Sequence, residues 1–84
     1  LAANKSQHVG VDGIVRPLSE EEQLNKTFSS VFSTESGAHI LRYLRSITIE
    51  RVNGPGVTDA ELRHAEGQRY IVGLIETRNR KGHS

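Results

Sequence analysis

Side chains able to do chemistry are present in this chain but dispersed. The four histidines, His8, His39, His64 and His83, include no pair three or four residues apart, and nothing resembles the HExxH pattern that sets two imidazoles on one helical face. They are expected to lie at the surface or at helix ends. Ser29, Ser30 and Ser33 stand in no recognisable nucleophile motif, and so short a chain has little volume for enclosing a pocket. The acidic run Glu20, Glu21 and Glu22 is better placed to start a helix than to hold a metal, because carboxylates favour the positive end of a helix dipole. Gly54 and Gly56 resemble a phosphate loop only superficially, since Pro55 removes an amide donor and no lysine follows at the required place. No catalytic, metal-binding or cofactor-binding residues are expected, and the chain is not expected to be an enzyme.

The elements that carry these residues read as helices. After Pro17 and Leu18, Ser19 and Glu22 have the spacing of a capping box, and Leu24, Phe28, Val31 and Phe32 make one apolar stripe ending near Phe32. Ser33 or Thr34 is expected to cap a second helix running to about Thr48, with Ala38, Ile40, Leu41, Tyr43, Leu44 and Ile47 on a broad buried face. Gly37 in its first turn implies close approach of the first helix, since glycine otherwise costs a helix about 1 kcal/mol relative to alanine. Ser46 to Val52 reads as a short strand or an irregular helix end, and Asn53 to Gly56 as a turn.

A third helix spans Thr58 to Gly82, opened by Thr58 with Glu61 and closed by Arg78, Arg80, Lys81 and Gly82, the basic residues suiting the dipole. Glu66 and Arg69 have the spacing of a helical ion pair. The competing reading makes Arg69 to Thr77 a strand, because tyrosine, isoleucine and valine favour sheets. As a helix, this element puts Leu62, Ala65, Val72 and Ile75 on one side and spreads Tyr70, Ile71 and Leu74 over the other. Two short helices cover one side only, so the second is expected to meet the arm of the same chain or another subunit.

Residues 1–17 read as an extended arm and 18–82 as an all-α three-helix domain. Val9, Val11 and Val15 share one side of an extended strand, which suits strand addition or a groove contact. With Tyr70, Ile71 and Leu74 they form the expected partner interface.

Size and charge narrow the function classes. A chain of 84 residues buries only about 60% of its unfolded surface, leaving roughly 3 to 5 kcal/mol of net stability. With no cysteine there is neither a disulfide nor a thiolate metal site to reinforce it, which favours association. A net charge of +1, from 11 basic and 10 acidic side chains, is far from that of a protein that coats nucleic acid. Arg42, Arg45 and Arg51 invite a DNA-binding regulator reading through the first helix pair. The N-terminal end of the second helix, Glu35 to His39, offers little to reach base edges. No apolar run of membrane-spanning length and no signal-peptide block is seen. The opening Leu1 is read as numbering that starts inside a longer product or as loss of an initial segment.

Phe28 and Phe32 followed by Thr34, Gly37, Leu41 and Leu44, and then Glu66, Gly67 and Arg69 leading into Ile71, Val72, Leu74 and Ile75, resemble a family of short virion proteins. Its members belong to tailed, particularly short-tailed, bacteriophages and are encoded among head and portal genes. The resemblance covers roughly Leu24 to Thr77, and each motif is moderately specific. It implies a noncatalytic virion component, made in the host cytoplasm, that assembles with portal, internal core or tail proteins and forms a homo-oligomer. No family catalytic residue is carried over.

Overall fold

A computed structural model describes residues 7–83. Among them the chain forms a short hairpin of β1 (Gln7–Val9) and β2 (Val15–Pro17), then α1 (Leu18–Phe32), α2 (Glu35–Ile47) and α3 (Asp59–Gly82). The expected mostly helical three-helix domain is what is found, with an extended N-terminal region; residues 1–6 of the arm lie outside the described part.

Residues 7–17 double back. Gln7 pairs with Pro17, His8 with Arg16 and Val9 with Val15 in antiparallel register. Gly13 supplies the positive φ of 82° that the turn requires, and Asp12 Oδ1 accepts from the Ile14 amide at 3.0 Å. Val9 and Val15 therefore lie opposite one another, exposed, while Val11 belongs to the turn and is half-buried. This corrects the expectation that the three valines line one strand; Asp12-Gly13, a dipeptide favoured in hairpin turns and flanked by β-branched residues, is the sequence signal for the doubling back.

α1 starts two residues earlier than its capping-box signature implies. Pro17 takes the N-cap position and no side chain caps the helix, so Ser19 lies inside it and the expected Ser19–Glu22 box does not form. Proline fixes an extended φ of −56° there, and the turn can begin without a side-chain acceptor. α2 is capped by Thr34, which accepts from the Gly37 amide at 3.0 Å. Gly37 is buried against Val31 and Phe32, where any Cβ would collide with the Val31 carbonyl, so the close approach expected from the sequence is present. Beyond Ile47 the chain leaves the helix irregularly; Thr48 Oγ1 donates to the Leu44 carbonyl and no strand forms. α3 is capped by Thr58 and is helical throughout Arg69 to Thr77, which removes the strand reading. Gly82 is not a left-handed stop: it ends the helix in close contact with Asn25 and Ser29 of α1, and His83 forms the cap.

The molecule is a slab of 53 × 32 × 13 Å with a radius of gyration of 15.8 Å, against about 12 Å for a compact chain of this length. A slab so thin holds at most two helices stacked at the usual 8–10 Å separation, so nearly every side chain is close to solvent. Among the described residues Val72, at 4% exposure, is the one apolar side chain in the buried class. The face of α2 expected to be buried is only partly so: Leu41 and Leu44 are half-buried, but Ile40, Tyr43 and Ile47 are exposed. Leu24 and Val31 of α1 are exposed as well.

Candidate interaction surfaces and the ion cluster that frames them

Four charged side chains fasten the hairpin and α1 to the far end of α3. Arg78, 2% exposed, donates from Nη1 to Glu21 Oε2 and to Asn25 Oδ1, both at 2.9 Å. Its Nη2 reaches Glu21 Oε1 and Asp12 Oδ2, each at 3.3 Å. Arg16 chelates Asp12, with Nη2 to Oδ2 at 2.8 Å, and also donates to Glu21 Oε1. The Val11 amide donates to Glu21 Oε2 at 3.1 Å, and the Phe28 ring lies 5.9 Å from the Arg78 guanidinium carbon. Gly10 packs directly over these groups, where a Cβ would meet Arg16, Glu21 and Asp12.

Two cations and two anions balance, and every carboxylate oxygen of Asp12 and Glu21 has at least two donors. Hydrogen bonds from Arg16, then from the Ile14 amide, hold the Asp12 carboxyl well below the usual range. For Glu21, burial alone pushes the carboxyl up, but the bonds from Arg78, the Val11 amide and Arg16 outweigh it and the net shift is downward. The same pairing raises Arg16 further above its ordinary value. A cluster so saturated acts as a structural tie. Among the described residues no buried side-chain nitrogen or oxygen lacks a partner.

Sequence reasoning missed this cluster. By sequence Glu21 suits a helix N-terminus and Arg78 a basic helix end, yet both face inward. The one available signal was position: Glu21, Asn25 and Phe28 lie on the same face of α1 at spacings of four and three. Arg69 likewise departs from the expected pair with Glu66: its Nε donates to the Thr48 carbonyl at 3.2 Å and its Nη2 to the Arg51 carbonyl at 2.9 Å, fastening the loop after α2 to α3. Arg45 bonds Glu76 at 2.7 Å and Glu50 at 3.0 Å, which withdraws one of the three arginines considered for duplex contact.

The remaining candidates are easily placed. Ser33 Oγ lies 2.7 Å from His83 Nε2 and 2.9 Å from Asn79 Oδ1, a pairing that joins the ends of α1 and α3 and was not anticipated. His8, His39 and His64 are exposed. Among the described residues no group of three or more His, Cys, Asp and Glu side chains is placed to hold a metal, and no helix is long and apolar enough to cross a membrane.

Of the six residues expected at an interface, Val11, Tyr70 and Leu74 line one 280 Å³ cleft within the chain, together with Gly73, and Tyr70 Oη donates weakly to the Asp12 carbonyl at 3.4 Å. The arm thus covers part of the second side of α3. Val9, Val15, Tyr70 and Ile71 remain more than half exposed. A larger groove of 740 Å³ opens between α2 and the first half of α3. Leu44, Ile47, Ile71 and Val72 give it an apolar lining, and Arg51, Arg63, His64 and Gln68 supply its polar part.

These features define a class: a small, mostly α-helical module with a polar internal tie and extensive outward apolar surface. The chain belongs to the family described as Bbp19-like phage protein, whose pattern matches residues 28–81, more than half of its length. No curated protein and no solved structure matches the chain. The resemblance read from Phe28 to Ile75 is thereby borne out at the level of a phage protein family. The match includes α2, α3 and Arg78 but leaves out Asp12, Arg16 and Glu21, the partners of that arginine in the cluster.

Proposed function

We propose that this chain is a noncatalytic assembly protein of a phage particle, present in several copies and bound to larger portal, internal core or tail proteins. The observation that carries this reading is the inverted distribution of side chains. Glu21, Asn25 and Arg78 are buried, whereas Val9, Ile14, Val15, Val31, Ile40, Tyr43, Val52, Tyr70 and Ile71 are more than half exposed. Leu44, Ile47, Ile71 and Val72 line one groove, and a shared apolar patch on so small a protein is a mark of association. Membership of a phage protein family is consistent with partners inside a virion. The exposed members of the expected interface, Val9, Val15, Tyr70 and Ile71, are the first contact residues to test. Mass spectrometry of purified particles separated into head and tail fractions is expected to find the chain in one fraction at a fixed ratio to a structural protein. Its absence from washed particles overturns the reading.

A further inference from the structure

The groove between α2 and α3 has a chemistry that selects its occupant. Its apolar residues, Leu44, Ile47, Ile71 and Val72, suit the side chains of an amphipathic helix. Arg51 and Arg63 contribute cationic side chains to its lining and, among the described residues, neither guanidinium has a hydrogen-bond or ion-pair partner. His64 bonds to Gln68, and among the described residues no carboxylate lines the groove. The groove therefore favours an apolar helix bearing negative charge. Two such grooves facing each other would bring the arginines of both copies together, which disfavours a symmetric contact.

This chain carries a helix face of the required kind. On α1, Glu20, Leu24, Thr27 and Val31 follow the spacing i, i+4, i+7, i+11, fall within one narrow stripe about 16 Å long, and are all exposed. The charged residue of the stripe is Glu20, and Lys26, the one basic residue of α1, projects from another side. The stripe does not turn into the groove of its own chain, because Glu21 and Asn25, on a neighbouring side of α1, are held against Arg78 in the second half of α3.

We infer that the groove of one copy receives the Glu20–Leu24–Val31 stripe of the next copy, head to tail. Such a contact joins two different surfaces, so repetition closes a ring or extends a filament. The inference rests on the multi-copy part of the proposed function and names the surfaces that would deliver it.

Sedimentation velocity of the full chain tests it with two exposed-site variants, Ile71→Asp in the groove and Leu24→Asp in the stripe. The wild-type chain is expected to self-associate, and each variant alone to be a folded monomer by circular dichroism. Their equimolar mixture is expected to form a dimer and nothing larger, because one intact stripe meets one intact groove. The charge variants Glu20→Arg and Arg63→Glu repeat the test without touching the apolar contacts: each is expected to weaken association about tenfold, and the double variant to recover it. A monomeric wild type, a Leu24→Asp chain that assembles like wild type, or a groove that binds duplex DNA instead of a second copy overturns the inference. The readings separate cleanly: a monomeric chain found in purified particles removes this contact and leaves the virion role, whereas the head-to-tail pattern in a chain absent from particles does the reverse.

Discussion

The two halves of α3 are built on opposite principles. From Arg78 to His83 the helix meets α1 through ion pairs, an amide, two serines and a glycine in close contact. From Arg63 to Val72 it meets α2 mainly through aliphatic side chains that leave an open groove, with Arg69 bonding the carbonyls of the loop after α2. Charge pairs impose distance and angle, so the first half fixes where the hairpin and α1 stand. Aliphatic contact imposes neither, so the second half can accept a partner without disturbing that frame. Buried ion pairs are expensive to desolvate and add little net stability, but they specify geometry. In this chain the specific contacts are internal and much of the adhesive surface faces outward.

The strongest way to break the contrast is Arg78→Met. It leaves the buried Glu21 with Arg16 as its one remaining cation and Asn25 Oδ1 without its donor, at a cost of about 3–5 kcal/mol. That is comparable to the whole stability available to so small a core. The variant is expected to be largely unfolded by circular dichroism at neutral pH, and a well-folded variant would show that the cluster does not hold the fold. Gly37→Ala comes next, because the added methyl meets the Val31 backbone and not a movable side-chain tip; a loss of about 1–3 kcal/mol is expected in urea unfolding. Thr58→Ala removes the cap of α3 and is expected to cost about 1 kcal/mol, read as fraying at the groove end while the Arg78 end stays protected from hydrogen exchange. The smallest effect on the isolated chain belongs to Ile71→Ser, which is exposed and is expected to shift stability by less than about 0.5 kcal/mol while abolishing self-association.

Acid sharpens the same comparison. The Asp12 and Glu21 carboxyls both titrate lower in the folded chain than in the unfolded one. Their contribution is therefore fully present above the ordinary carboxylate range, above about pH 5, and is lost as pH falls through the folded values. Stability is expected to decline below about pH 4, with the hairpin and the Arg78 end of α3 losing protection before the α2–α3 contact does. Hydrogen exchange followed against pH reads this directly, and simultaneous loss at both ends would show that the two halves are not separable.

Much of the architecture was legible in residue order. Thr34 and Thr58 announce two helix starts because a hydroxyl three residues before an amide satisfies it locally. Gly37 announces a close approach because glycine within a helix has a cost that packing must offset. Where the local signal was wrong, another local preference overrode it, as Pro17 did for Ser19 at the start of α1. The excess apolar surface of Tyr70 and Ile71 was also readable, since two short helices cannot cover a long one on both sides. What the sequence alone did not determine was which charges turn inward. Glu21 is one of three adjacent glutamates and Arg78 one of several basic residues near a helix end, equivalent by composition and dipole. Only the crossing of α1 over α3, with Asp12 and Arg16 brought above it by the turn at Gly13, distinguishes them. An ion pair between residues 57 positions apart depends on where two helices cross, and that is decided by packing in three dimensions.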